Sequence, residues 1–195
     1  MTSERLRLFV AVELPQAWLD AITGAQTRLG RALDAAGAPR LRWAHPEGIH
    51  LTLKFLGETE PALLPRLVEA LADAVSTPPA LRLSLGEAGC FTSRRRVRVV
   101  WAGLGGDVER LAPIAGRIDD ACAELGFERE RRPFAPHLTL ARVPEGVTLD
   151  RDVLAPHLRS LRLDAPPFEV KHISLMRSHL GPGGARYECI ASFPN

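Results

Sequence analysis

The stretches HLTLKFLGE at residues 50–58 and HLTLAR at residues 137–142 begin with the same four residues. The repeat is unexpected because histidine accounts for only 6 of the 195 residues. In each copy the leucines alternate with a histidine and a threonine, and side chains two residues apart in a β-strand point to the same face. Each copy therefore predicts a strand whose leucines enter the core and whose His–Thr pair lies on the opposite face.

The same alternation makes predictions about the residues that follow each copy. It groups Phe55 with the core leucines and Lys54 with His50 and Thr52. In the second copy, strict alternation places Arg142 on the face opposite the His–Thr pair, unless the strand twists, bulges or ends there. Lys54 and Arg142 are candidates to add a positive charge beside the pairs.

The elements around the two copies also repeat in order. Strand-like segments alternate with segments of helical periodicity, and Pro113 predicts a kink or a late helix start. His137 follows His50 by 87 residues, Phe168 follows Leu81 by 87, and Arg98 follows Leu8 by 90. These offsets indicate an internal duplication. The predicted strands are 6–15, 48–57, 81–91, 96–104, 136–143, 168–178 and 185–193, and the predicted helices are 16–37, 61–75, 107–126 and 150–161.

The duplication predicts one α+β domain over residues 1–195 with two lobes. Its halves would span roughly 6–92 and 95–178, with a closing strand at 185–193. We expect the lobes to be related by a pseudo-twofold axis, with antiparallel sheets lining a central cleft and helices outside. Both His–Thr pairs would then line that cleft.

Composition excludes several other classes of protein. Hydrophobic residues make up 46% and charged residues 25% of the chain, as in ordinary globular proteins. No apolar run is long enough for a transmembrane helix, and Glu13 interrupts the only short apolar stretch near the N-terminus. Three cysteines without metal-ligand spacing suit a reducing cytoplasm. We therefore expect a cytoplasmic monomer without membrane contact.

The basic residues hint at phosphate recognition without establishing it. The net charge is only +2, but 23 of the 25 basic residues are arginine, whose planar fork binds phosphate oxygens in pairs. A genome that prefers arginine codons explains this bias equally well. Two local clusters, RRRVR at 94–98 and ERERRPF at 128–134, each precede a predicted strand.

Two opposed histidines suit displacement at phosphorus. An imidazole pKa of about 6.5 makes both protonation states available near neutral pH, so one ring can accept a proton while the other donates one. Threonine hydroxyls can hydrogen-bond the non-bridging oxygens. A single His–Thr pair is more often a structural polar pair, but two copies at matched positions favour a site. A metal site would need further Asp, Glu or Cys ligands, so no metal or cofactor is expected.

Over nearly its whole length the chain resembles the two-histidine (2H) phosphoesterases, and within them the RNA 2′,3′-cyclic phosphodiesterases, also called 2′–5′ RNA ligases. The likeness rests on five segments. The resemblance implies a bilobal α+β fold. It also implies metal-independent hydrolysis of a 2′,3′-cyclic phosphate at an RNA end to a 2′-phosphomonoester, which is the reaction of a phosphoric diester hydrolase. The segments are RLFVAVELP, HLTLKFLGE, VRVVWAGL, LGFERERRPFAPHLTLAR and GPGGARYECIASF.

The resemblance also implies roles for individual residues. His50 matches the general acid that protonates the 3′ oxygen, and His137 matches the base that activates water. The other matches are phosphate-binding Thr52, Thr139 and Arg142. Phe9 and Tyr187 either line the cleft and stack on a base or pack in its wall.

Two further functions stay open at the level of sequence. The same histidines could join tRNA halves by forming a 2′–5′ bond, since ligation is the reverse reaction with a 5′-hydroxyl in place of water. The arginine clusters would instead suit a non-catalytic module that binds RNA or nucleotides. In each case the expected partner is RNA, including tRNA fragments, or a small cyclic nucleotide.

Overall fold

A computed structural model describes residues 4–76, 81–181 and 184–194 and shows an α+β fold. Short 3₁₀ turns precede β3, α2 and α3. The strands are β1 Leu6–Val12, β2 Arg42–Trp43, β3 Leu51–Thr59, β4 Leu81–Ser93, β5 Arg96–Gly106, β6 Leu138–Arg142, β7 Phe168–Val170, β8 His172–Gly181 and β9 Gly184–Pro194. The helices are α1 Gln16–Ala35, α2 Leu64–Val75, α3 Leu111–Glu124 and α4 Arg151–Ser160.

The strands form two antiparallel sheets. Sheet A has the order β3-β1-β8-β9, and sheet B has the order β2-β6-β5-β4-β7. Within both, neighbouring strands run antiparallel. The order β3-β1-β8 of sheet A thus matches the order β6-β5-β4 of sheet B.

Each half of the chain contributes strands to the sheet that contains the first strand of the other half. β4 pairs with β5, which follows it, whereas β8 returns to pair with β1 at the start of the chain. Each sheet therefore contains strands from both of the sequence segments that repeat. This matching order is what an internal duplication predicts, and the duplication itself stays a prediction.

The helices are exchanged in the same way. α2 and α3 pack on each other and on sheet A, although α3 follows β5 of sheet B. α1 follows β1 of sheet A but packs with α4 and contacts β6 of sheet B. The apolar side chains of α1 recur at helical spacing, so Trp18, Ile22 and Leu29 are buried together. One hydrophobic core joins both sheets and all four helices within the described ranges.

Two elements differ from the sequence prediction. The segment 168–178 forms two strands instead of one: β7 joins sheet B, β8 joins sheet A, and Lys171 separates them. The apolar residues alternate as Phe168 and Val170 in β7 and as Ile173 and Leu175 in β8, so the pattern shifts by one residue between the strands. This shift does not reveal which sheet each strand joins. The two-residue strand β2 is too short to leave a pattern. Pro113 lies in the first turn of α3, which confirms the late start.

Among the helices of the described residues, we find none with both the length and the apolar character needed to cross a membrane.

Candidate active site

The two His–Thr pairs occupy equivalent positions on the two sheets. His50 and His137 each stand immediately before the first residue of a strand, β3 or β6. The leucines of both copies are buried, as predicted. Thr52 lies opposite Ala11 of β1, and Thr139 lies opposite Trp101 of β5. We call the face of each sheet that carries its threonine the His–Thr face.

Both motif strands contain a β-bulge at the same place. In β3 the pairing passes from Thr52 to Lys54 and skips Leu53. In β6 it passes from Thr139 to Ala141 and skips Leu140. Burial shows the same irregularity, because two successive residues are buried in each strand. A bulge of one residue reverses the alternation that follows it.

The bulges decide which face the next residues occupy. Arg142 pairs with Val99, which lies two residues from Trp101, so Arg142 shares the His–Thr face of sheet B. Phe55 pairs with Phe9 in the same way on sheet A. The predicted face of Phe55 was therefore wrong.

Lys54 is not part of the site. It lies on the helix-covered side of sheet A, where its ammonium donates hydrogen bonds to Asp119 Oδ1 at 2.6 Å and to the Glu128 carbonyl at 2.9 Å. The prediction that it accompanies His50 was wrong because the bulge turns it into the core.

His50 lies in an aromatic pocket. The Phe9 ring stacks on it at a centroid distance of 4.5 Å, and the Tyr187 ring meets it edge-on at 5.2 Å. Burial lowers the pKa of His50 to about 4, and a hydrogen bond to the Gly48 backbone offsets this only in part. Tyr187 also closes over Gly48, where a Cβ would lie 2.9 Å from its ring. His50 is therefore uncharged at neutral pH in the free protein.

His137 is fixed differently. Its Nδ1 lies 2.8 Å from the Ala135 carbonyl oxygen, which can only accept, so Nδ1 carries the hydrogen. In the neutral ring the lone pair is then on Nε2. The Phe91 ring meets His137 edge-on at 4.8 Å and lies 5.5 Å from Trp101. Both histidines thus bond to the backbone two residues earlier, but among the described residues only His50 is enclosed by two aromatic rings.

The two aromatic residues that the resemblance assigns to the cleft, Phe9 and Tyr187, pack against His50. Phe9 is 2% exposed and Tyr187 is half-buried against it, so Phe9 offers no open ring face to a nucleobase. The exposed aromatic residues on the His–Thr faces are Phe55, at 66% exposure, and Phe91, at 37%. Sequence reasoning missed both. The internal repeat could have indicated the position of Phe55, since Phe55 precedes Arg142 by 87 residues and is its equivalent in the first copy.

The floor of the site on sheet B is the Trp101 indole. It lies across Gly89 of β4, where a Cβ would come within 2.3 Å of its Cζ2 and Cη2 atoms. Only glycine leaves room for this arrangement. The indole nitrogen is buried and has no hydrogen-bond partner among the residues that the structure describes. No cluster of three or more metal-ligating side chains occurs within the same residues.

A family model of the 2′-5′ RNA ligase superfamily matches residues 15–182. The chain belongs to this superfamily. That membership confirms the resemblance to the 2H phosphoesterases, and both motif copies lie within the matched range. A solved structure with the same fold is TT0787 of Thermus thermophilus, with a TM-score of 0.75, 26% identity and coverage of 97% of each chain.

Curated relatives named RNA 2′,3′-cyclic phosphodiesterase are similar along nearly the whole chain. The protein of Methanothermobacter thermautotrophicus is 31% identical over 184 residues, covering 94% of this chain and 95% of its own length. The protein of Geobacillus stearothermophilus is 33% identical over 191 residues and 98% of this chain. This chain spans 58% of the length of the Geobacillus protein.

Proposed function

We propose that this protein hydrolyses 2′,3′-cyclic phosphodiesters at RNA ends to 2′-phosphomonoesters by metal-independent acid–base catalysis. The observation that carries the proposal is the equivalence of the two His–Thr pairs, which recur with the same strand register and the same bulge. The names of the relatives point to the same substrate. We further propose that the two His–Thr faces line one cleft, so that both histidines reach the same phosphate.

In this mechanism His137 is the base. Its Nε2 accepts a proton from water, whose oxygen forms a bond to phosphorus while the bond from phosphorus to the 3′ oxygen breaks. His50, protonated, donates its proton to the departing 3′ oxygen. Each of these proton transfers is typically worth about 10²–10⁴-fold in rate. The hydroxyls of Thr52 and Thr139 and the Arg142 guanidinium stabilise the charge on the non-bridging oxygens.

The protonation of His50 requires the substrate. Its pKa of about 4 leaves it uncharged in the free protein at neutral pH. An anionic phosphate beside the ring favours the charged form and raises the pKa again. His50 is then an acid only when a phosphate is bound, which restricts proton donation to the complex. The assignment of acid to His50 and base to His137 remains the one that the family resemblance implies.

The alternatives have weaker support. The arginine clusters that motivate a pure RNA-binding role are partly engaged in ion pairs: Arg95 lies 2.8 Å from Asp152, and Arg131 lies 2.8 Å from Glu128. Ligation uses the same residues with a 5′-hydroxyl in place of water, so it is a second outcome of the same site. A monomer in the cytoplasm remains the proposed state.

The test uses a short RNA that ends in a 2′,3′-cyclic phosphate, with EDTA present. We expect the wild type to produce a 2′-phosphate end. His50→Ala and His137→Ala should each lose about 10²–10⁴-fold in kcat/KM. Combining the two changes should cost little more than the worse single change, because residues that act as a unit are not additive. His157→Ala on α4 is the matched control and should keep full turnover.

Other outcomes would contradict specific parts of the proposal. A 3′-phosphate product would refute the regiochemistry, and loss of turnover with EDTA would refute the metal independence. If each histidine worked in a separate site, each single variant would keep about half of the turnover and the double variant none.

A further inference from the structure

Strand β2 breaks the correspondence between the two sheets. In sheet A the motif strand β3 is an edge strand, whereas in sheet B the equivalent strand β6 has β2 beyond it. β2 consists only of Arg42 and Trp43, and it comes from the segment between α1 and β3. Within the described ranges, the second copy of the motif therefore has a neighbouring strand that the first copy lacks.

The core fixes β2 in place. Trp43 packs against Gly30 of α1, where a Cβ would lie 3.4 Å from the indole. The Ala44 N–H donates to the Leu140 carbonyl at 2.9 Å. The buried Gln26 amide donates to the Ala44 and Leu140 carbonyls, both at 2.9 Å. The residue that follows β2 is thus hydrogen-bonded both to α1 and to the motif strand β6.

This arrangement places two arginines side by side. Arg42 lies directly opposite Arg142 in the β2–β6 pair. The same line of cross-strand neighbours continues to Val99 of β5 and Phe91 of β4, so Arg42 also lies on the His–Thr face. Like charges directly opposite each other destabilise an antiparallel pair. Both side chains are exposed, and neither forms an ion pair with any carboxylate of the described ranges. An anion bound between the two guanidinium groups would relieve their repulsion.

We propose that Arg42, beside Arg142, binds the phosphodiester that precedes the cyclic end of an RNA substrate. This inference rests on the proposed function, in which Arg142 contacts the cyclic phosphate on the same face. Guanidinium groups bind phosphate oxygens in pairs, and two adjacent forks suit two successive phosphates of one strand. Arg42 is then a specificity residue that favours oligonucleotides over single cyclic nucleotides.

The test compares a nucleoside 2′,3′-cyclic phosphate with a dinucleotide that ends in the same group and adds one phosphodiester and one nucleoside. Arg42→Ala should raise KM for the dinucleotide about tenfold or more, because a hydrogen bond to a charged group is lost. The KM of the nucleoside should stay within about twofold. The slope of log kcat/KM against log salt should fall by about 0.7 for the dinucleotide alone. Arg42→Lys should restore part of the loss.

Arg66→Ala is the matched control, since Arg66 is also exposed but lies on the helix α2 that covers sheet A. It removes the same charge and should leave both substrates unchanged. The inference is overturned if Arg42→Ala weakens both substrates equally, weakens neither, or behaves like Arg66→Ala. If the wild type hydrolyses neither substrate, the proposed function fails instead. Fluorescence anisotropy with a short RNA then decides whether Arg42→Ala weakens phosphate binding.

Discussion

At the scale of single residues, His50 and His137 share four residues of sequence but not their surroundings. Each ring bonds to the backbone two residues earlier, which orients it. The Phe9 and Tyr187 rings then enclose His50, whereas the edge of the Phe91 ring contacts His137. The surroundings supply an asymmetry that the two HLTL copies lack.

This asymmetry predicts the dependence of activity on pH. His50 must be protonated to act as the acid, so the profile of kcat/KM, which reports the free enzyme, should show a limb near pH 4, the pKa of buried His50. The corresponding limb of kcat reports the complex and should lie at higher pH, because bound phosphate raises that pKa. The measurement is a pair of pH–rate profiles with the cyclic nucleotide.

Tyr187→Ala tests the cause of the lowered pKa. Removing the ring opens the His50 pocket to water, so the limb of kcat/KM should move upward from pH 4 toward 6.5, the ordinary histidine value. A wild-type limb of kcat/KM already near 6.5, or a limb that Tyr187→Ala leaves in place, would show that burial does not set the pKa of His50.

At the scale of elements, the bulges at Leu53 and Leu140 position the chemistry. Without them Phe55 and Arg142 would enter the core, and Lys54 would stand beside His50. With them, equivalent positions present an exposed aromatic ring on sheet A and a guanidinium on sheet B. The two His–Thr faces therefore differ in chemistry.

The fit of Trp101 over Gly89 predicts the effect of one methyl group. Gly89→Ala places a Cβ within 2.3 Å of the indole, so the ring must move away from its position beside Thr139. We expect a loss of about 1–3 kcal/mol in the free energy of unfolding and a fall in kcat/KM. Urea unfolding and turnover of the cyclic nucleotide measure the two effects.

Gly116→Ala is the control for this prediction. Gly116 lies in α3, and a Cβ there would meet nothing within 4 Å. The change should stabilise the protein by roughly 0.5–1 kcal/mol, since alanine favours the helix. Adding Trp101→Leu to Gly89→Ala should recover stability. A Gly89→Ala protein as stable as the wild type would contradict the close contact.

At the scale of the whole molecule, the exchange of strands and helices packs the two halves of the chain against each other. A buried ion pair between Lys54 of β3 and Asp119 of α3 also connects the two halves. The Lys54 side chain is 4% exposed and that of Asp119 is 18% exposed. Burial by itself raises the pKa of Asp119, but hydrogen bonds from Lys54 and the Glu130 N–H, with the nearby positive charges, outweigh it and lower that pKa.

The two partners of this pair should not be equally sensitive to substitution. Asp119→Asn removes the negative charge beside the buried Lys54 ammonium and leaves it with neutral acceptors such as the Glu128 carbonyl, so we expect a loss of about 3–5 kcal/mol in the free energy of unfolding. Lys54→Met should cost less, because Asp119 keeps the Glu130 N–H at 3.0 Å and Arg129 at 3.7 Å. Urea unfolding of both variants at neutral pH gives the comparison. Equal losses, or a larger loss for Lys54→Met, would contradict this account.

The sequence by itself determined the local strands and helices, the burial of the HLTL leucines and the identity of the two His–Thr pairs. These features follow from periodicity and residue type, which are local properties, and the membership of the superfamily agrees with the resemblance read from the same segments. Even the offsets of 87 and 90 residues reappear in the register, where Ala11 faces Thr52 as Trp101 faces Thr139.

Only the tertiary structure decided the rest. The division of 168–178 between two sheets, the bulges that turn Phe55 and Arg142 outward, and the meeting of Arg42 with Arg142 depend on which strands lie side by side. The low pKa of His50 depends on rings from β1 and β9, which are distant in the chain. Register and burial depend on pairs of segments that are distant in the chain, so a local sequence pattern does not determine them.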